Sequence, residues 1–291
     1  MFAVIGATGN AGYSTASALR QAGVPVRAIV RGAAKAARLR EIGCEIAVAD
    51  LQDSASLAQA IGDADAVQIV LPSRFQTNDP AADMRLSRES LIKALKQARP
   101  KRVLAISDYG AHVVEDIGMP GIFREFETQL RTVEGHKLIL RSAEHMHNWG
   151  RVIPAALASG TLPSLQDPID MVQPTIAAPD LGLISARLLL QPDSGKDIDI
   201  IHAEGPRRYS ASDIATALRQ LTGRTIHAQA VPRSQWKKVF EQMPATLAEL
   251  LIKANDAKNK GGLVDVEPNA GEVLYGTTEL IDALRPLVPP Q

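Results

Sequence analysis

Short runs of β-branched and aliphatic residues recur along the first half of the chain, with longer stretches of helical periodicity between them. The runs fall at residues 3–5, 25–30, 45–49, 66–71, 102–107, 137–140 and, much later, 197–202. Helical patterns occupy 14–21, 33–42, 54–61, 81–98, 122–133 and 181–190. This alternation is the pattern of βαβ units, and right-handed crossovers then predict an α/β fold built on a doubly wound parallel sheet. In such a sheet a ligand lies outside the carboxyl ends of the strands. The residues that follow each run are therefore the ones to examine: 6–12, Arg31, Asp50, Leu71 to Arg74, 107–112 and 141–147.

Past residue 150 the alternation breaks. Pro154, Pro163, Pro168, Pro174 and Pro179 punctuate the chain, and 210–221, 233–243 and 245–254 read as helices with polar connections. The pattern predicts a first domain over 1–150 and a smaller, mainly helical C-terminal substrate lobe or lid over 151–291. Residues 180–204 are expected to return to the sheet, so the boundary is discontinuous.

The segment Gly6-Ala7-Thr8-Gly9-Asn10-Ala11-Gly12 stands directly between the first strand and the first helix. Unsatisfied N–H groups and the helix dipole favour an anion at such a junction. Gly6 suits the tight turn, Gly9 lets the backbone approach a pyrophosphate, and Gly12 lets helix and strand pack closely. The spacing is GxxGxxG rather than GxGxxG, so context must supply the rest. After the second strand comes Arg31-Gly32, and no Asp or Glu precedes Glu41. A NAD-selective site places an acid about 20 residues past the glycines for the ribose 2′-OH, whereas an arginine suits a 2′-phosphate. Arg31 and Lys35 are therefore read as phosphate contacts rather than as loop solvation, and the cofactor is expected to be NADP(H) in preference to NAD(H).

Composition narrows the picture. With 291 residues and 45% hydrophobic content the chain buries a full core. Basic and acidic residues are equal at 32 each, which leaves no electrostatic footprint for nucleic acid or an anionic membrane. A lone cysteine, Cys44, excludes a disulfide framework and reads as a small core residue beside the third strand. No signal core or membrane-length apolar run is present, and a cytoplasmic protein is expected. The Glu144-His145-Met146-His147 cluster has no evident third ligand, so no metal is expected and the two histidines read as lining a substrate pocket or as plain loop residues.

Several blocks together resemble the NmrA-like branch of the atypical short-chain dehydrogenases/reductases, a Rossmann-fold family: the opening VIGATGNAG, the turn VRG at 30–32, Ala49-Asp50-Leu51, the segment 127–148, Thr175 to Gly182, and Gly205-Pro206. The resemblance runs over about the whole chain. It implies an NAD(P)-binding domain over 1–150 in which Gly6, Ala7, Thr8, Gly9, Asn10, Ala11 and Gly12 hold the pyrophosphate. It also implies that Arg31 reads the 2′-phosphate, that Asp50 and Leu51 lie beside the adenine, and that Leu71, Pro72 and Ser73 line the adenosine and nicotinamide ribose.

Short-chain reductases generally protonate a carbonyl oxygen through a tyrosine with a lysine four residues on. Here the residues four past Tyr13, Tyr109, Tyr209 and Tyr275 are Ser17, Val113, Asp213 and Glu279. Isoflavone-reductase-like relatives carry a lysine four residues before the glutamate that stands here as Glu127, and that position is Phe123. Two readings follow. One is hydride transfer from NADPH to a small conjugated acceptor such as a quinone, where orientation over the nicotinamide does most of the work and Tyr109, His112 or the His145/His147 pair donates to an oxygen. Ser107 is then a strand-end hydroxyl beneath the nicotinamide, catalytic or simply structural. The other is a non-catalytic NADP(H)-sensing regulator that binds a protein partner. The oligomeric state is left open.

Overall fold

In the computed structural model, which describes residues 1–71 and 77–289, the aliphatic runs become strands, the central ones buried on both faces and β3 at the edge half-exposed. Such strands read as continuous apolar segments because helices cover both sides of a parallel sheet. The first half runs β1 (Phe2–Ile5), α1 (Asn10–Gln21), β2 (Val26–Val30), α2 (Ala37–Glu41), β3 (Glu45–Val48), α3 (Ser54–Ile61), β4 (Ala66–Val70), α4 (Pro80–Ala98), β5 (Arg102–Asp108), α5 (Met119–Leu130) and β6 (His136–Ser142). The second half adds β7 (Glu144–His145), α6 (Ile153–Ser159), β8 (Thr161–Ser164), β9 (Thr175–Ile176), α7 (Ala178–Leu190), β10 (Ile198–Glu204), α8 (Ala211–Thr222), β11 (His227–Ala230), α9 (Trp236–Val239), α10 (Ala245–Lys260), β12 (Val273–Tyr275) and α11 (Leu280–Leu284).

Eight strands form one sheet in the order β12-β10-β6-β5-β4-β1-β2-β3, parallel at every pairing. The direction of winding reverses between β1 and β4, which opens a crevice above their carboxyl ends. Alternation along each strand divides the core in two. Val4, Leu104, Ile106, Leu138 and Leu140 pack with Leu19 of α1 and Leu181 of α7. Ile5, Val103 and Ala105 pack with Leu57 of α3, Leu91 of α4 and Phe126 of α5. Cys44 belongs to the first cluster, and burial pushes its thiol pKa up, as befits a core residue.

The differences from the sequence expectation have local causes. The helix expected over 33–42 breaks into a 3-10 turn, Ala33–Lys35, and α2; neither segment has a side-chain cap to extend it. The helix expected over 233–243 contracts to a 3-10 turn and the four residues of α9, after which Phe240 and Met243 fold back into an apolar cluster. β6 runs to Ser142 rather than 140, which takes Arg141 out of the strand tip and into the sheet. β12, only three residues long, was not legible as a strand and extends the sheet beyond β10.

The second half contributes to both the sheet and its cover. Beside β10 and β12, it supplies α7, which lies so close to α1 that Thr15 Oγ1 donates to the Gly182 carbonyl oxygen at 3.0 Å. α6, α8 and α11 share a cluster of their own with Met146, Leu162 and Ile226. The Ser210 and Asp213 side chains form a capping box that starts α8. α10 crosses to the first half: Leu250 packs with Leu71, Met84 and Ile122, Lys253 Nζ lies 2.7 Å from Asp116 Oδ2, and Thr246 Oγ1 donates to Asp79 Oδ1 at 2.9 Å. This helix therefore lies over the end of the sheet where the loops after β4 and β5 emerge.

A Cβ at Gly182 would stand 2.3 Å from the Ala11 carbonyl oxygen. Because backbone cannot yield as a side-chain tip does, Gly182→Ala is expected to cost about 1–3 kcal/mol in urea unfolding. An unchanged midpoint would show that α1 and α7 do not meet at this distance.

Candidate active site

The chain leaves β1 at Gly6, whose φ of +81° is one that glycine adopts without strain. A Cβ at Gly12 would come within 2.3 Å of the Gly6 carbonyl oxygen, so α1 packs directly on the turn. No side chain caps the first turn of α1, and no acid lies in it. Thr8, Gly9 and Asn10 are exposed, with Ala7 and Ala11 buried beneath them. Open N–H groups at a helix start, with no competing carboxylate in the first turn, fit a diphosphate.

The tips of β2 and β3 border this turn. Arg31 and Lys35 are exposed, and neither has a carboxylate partner among the described residues. Arg38 stacks over the Tyr13 ring at 4.1 Å. Asp50 is exposed and accepts from the Gln52 N–H at 3.1 Å through Oδ1. Leu51 is buried with Leu57 and Ile69, and Leu71 with Met84 and Ile122, so both side chains pack beneath the crevice. Pro72 and Ser73 lie outside the described residues.

At the ends of β5 and β6 the three residues proposed as catalytic separate in character. Ser107 is 3% exposed, and its hydroxyl donates to Glu127 Oε1 at 2.6 Å. Glu127 also receives Arg141 in bidentate form, Nε at 3.0 Å and Nη2 at 2.8 Å, while Arg141 Nη1 lies 2.8 Å from Glu267 Oε1. Buried charges persist only when paired and hydrogen-bonded, and this trio meets that condition. Tyr109 is 1% exposed and donates to Glu204 Oε1 at 3.3 Å; burial and then the Glu204 charge push the phenol pKa up. Arg208 binds Glu204 on one side at 2.8 Å and Asp265 on the other at 2.6 Å. Both hydroxyls are thus held inside, against carboxylates.

His112 is half-buried, its Nδ1 has no partner, and burial lowers its pKa, helped by Arg141 and opposed by Glu267, Glu127 and Asp265. His202 of β10 is 1% exposed, lies edge-on to the Tyr109 ring at 5.6 Å, and leaves both ring nitrogens unpartnered. His145 and His147 stand with ring centroids 5.2 Å apart. Burial, reinforced by His147, lowers the His145 pKa to about 4, and burial lowers that of His147 as well. Both imidazoles are therefore neutral at pH 7, able to donate or accept a hydrogen bond without bringing charge.

Beside that pair lies a group that the sequence reading passed over. Asp108 ends β5, Glu144 opens β7, and Lys258 of α10 donates to Glu144 Oε2 at 2.6 Å. Glu144 sits below its usual range because Lys258 and the Asn148 amide outweigh its burial. Asp108 is raised to about 7: burial dominates, Glu144 and Glu127 push the same way, and Lys258 and the Tyr109 N–H oppose. The signal available in the sequence was the position of Asp108 after a strand; Lys258, 114 residues from Glu144, carried none. Among the described residues no group of His, Cys, Asp and Glu is arranged to hold a metal. No helix among them is long and apolar enough to cross a membrane.

Comparison with known proteins identifies the family. The NAD(P)H-binding family matches residues 6–158. An NAD(P)H azoreductase of Xenophilus azovorans is 26% identical over 255 residues, covering 86% of this chain and 85% of that protein. The structure of an NADPH-dependent quinone oxidoreductase from Escherichia coli complexed with NADPH superposes with a TM-score of 0.80 at 23% identity and 99% coverage of both chains. Triphenylmethane reductase of Citrobacter sp. complexed with NADP(H) gives 0.78 at 19% identity, again with 99% coverage of both.

The Glu127 network supplies a stability test. Glu127→Leu strands Arg141 with one partner and is expected to cost about 3–5 kcal/mol, whereas the double variant Glu127→Leu, Arg141→Met should recover much of it. Additive losses in urea unfolding would show that the two side chains do not act as a buried pair.

Proposed function

The chain belongs to the NAD(P)H-binding family, and we propose that it is an NADPH-dependent reductase that passes a hydride to a quinone or a related conjugated acceptor. The observation that supports the reading is the uncapped, acid-free start of α1, packed directly on the Gly6 turn through Gly12. The quinone, azo and triphenylmethane acceptors for which its relatives are named are all conjugated systems that take up electron density. Such acceptors need orientation more than strong acid assistance.

In this reading the N–H groups at the start of α1 hold the diphosphate. Arg31 and Lys35, exposed and without a carboxylate partner among the described residues, take the 2′-phosphate, which an acid at that position would repel. Asp50 and Leu51, with Leu71 next to Pro72 and Ser73, border the adenosine side. Bound NADPH supplies the two electrons and the hydrogen. His145 and His147 orient an acceptor oxygen by hydrogen bonding, and as neutral groups they add no further charge that a flat apolar ring would have to desolvate. The Ser107–Glu127–Arg141 network keeps the ends of β5 and β6 rigid beneath.

Calorimetry with the two reduced dinucleotides tests the cofactor. NADPH should bind more tightly than NADH, and Arg31→Ala should lose about tenfold or more for NADPH alone, the worth of a charge-assisted contact. Equal affinities in the parent would overturn the 2′-phosphate assignment. Steady-state oxidation of NADPH against a panel of quinones tests the chemistry. Tight NADPH binding with no acceptor-dependent oxidation would overturn the reductase reading in favour of a dinucleotide sensor.

A further inference from the structure

Between α1 and α2 lies a contact that neither the glycine turn nor the strand tips account for. Tyr13 follows Gly12 directly in the first turn of α1, and its N–H donates to the Gly9 carbonyl oxygen at 2.8 Å. The Arg38 guanidinium carbon stands 4.1 Å over the centre of the Tyr13 ring. This is not a meeting of two loose side chains. Ala36 and Leu39, on either side of Arg38, are 0% and 1% exposed, and Tyr13 packs against the same apolar cluster. Arg40 Nη1 donates to the Ala33 carbonyl oxygen at 3.2 Å, which braces the turn before α2. β1 and β2 pair with Ile5 opposite Ile29, so the Gly6 turn and Arg31 leave neighbouring strand ends, and Arg38 is tied to the helix that starts from that turn.

We propose that Tyr13 and Arg38 form a specificity pair for the coenzyme, in which Tyr13 positions the Arg38 guanidinium and Arg38 grips the 2′-phosphate. The inference rests on the NADPH reading above and deepens it. A guanidinium stacked on a ring uses its face and leaves its edge free, and its N–H donors lie in that edge as a fork that matches phosphate oxygens. Arg38 is exposed and has no carboxylate partner among the described residues, and no acid precedes Glu41 in the chain. Arg31 and Lys35, also exposed, have no such platform and must be ordered when the ligand arrives. Arg38 is ordered beforehand, so its contact with a phosphate loses less side-chain entropy.

Calorimetry of NADPH and NADH binding tests the pair, with urea unfolding to certify the fold of each variant. Arg38→Ala should weaken NADPH by about tenfold or more, the worth of a charge-assisted contact, and leave NADH at the parental affinity. Tyr13→Leu removes the platform and should weaken NADPH by about two- to fivefold, the span of an exposed cation–π contact. Tyr13→Phe keeps the ring face and should match the parent. The double variant Arg38→Ala, Tyr13→Leu should bind NADPH no more weakly than Arg38→Ala alone, because a ring without its guanidinium has nothing to position.

A contact that only packs α2 on α1 predicts a different pattern, in which NADH weakens together with NADPH and the two losses add. Either result overturns the proposal. So does an Arg38→Ala or a Tyr13→Leu variant that binds NADPH as the parent does. In each of these cases a parent that still prefers NADPH, and loses that preference in Arg31→Ala, keeps the cofactor reading intact. A parent with no preference between the two coenzymes overturns both.

Discussion

A parallel sheet cannot turn back on itself in two residues, so each strand must be followed by a crossover that returns to the same starting edge. That constraint organises everything else in this molecule. All eight strands of the main sheet end on one side, and the chain segments that leave them are gathered there whatever their distance in sequence. The glycine turn after β1, the basic turn after β2 and the polar ends of β5 and β6 become neighbours of one crevice for this reason alone. Helices α1 and α7 pack on one face and α3, α4 and α5 on the other, and α10 with the segment after it lies over the carboxyl ends of the strands.

The polar groups at that edge form two layers with different work. Below are charges that are paired and enclosed: Glu127 with Arg141 and Ser107, and Glu204 with Arg208 and Tyr109. Each occupies a low-dielectric position where a lone ion would be costly, so their role is to keep strand ends in one place. Above are groups whose charge is suppressed or unmatched: the neutral His145 and His147, and Asp108 beside the Glu144–Lys258 pair. The contrast is one of partners: carboxylates occur in both layers, and those below are each matched by an arginine.

Much of the cradle was legible because it is local. Gly6, Gly9 and Gly12 act through their own backbone and their immediate neighbours, so spacing between a strand and a helix was enough to assign them. The absence of acids before Glu41 could likewise be read without coordinates. Arg141 was misplaced for the opposite reason: a charged residue normally ends a buried strand, and Glu127 from α5 and Glu267 from beyond α10 make it tolerable within the last two residues of β6. Ser107 and Tyr109 looked like catalytic hydroxyls because their partners, Glu127 and Glu204, lie 20 and 95 residues away.

The order of apolar runs and glycines therefore determined the sheet, its connections and the glycine turn at the start of α1, because these depend on periodicity and on backbone geometry within a few residues. Tertiary structure alone decided the protonation of the polar groups at the mouth. Whether a carboxylate keeps its charge depends on burial and on how many cations remain uncommitted nearby, and here the deciding cation arrives on α10 from the far end of the chain.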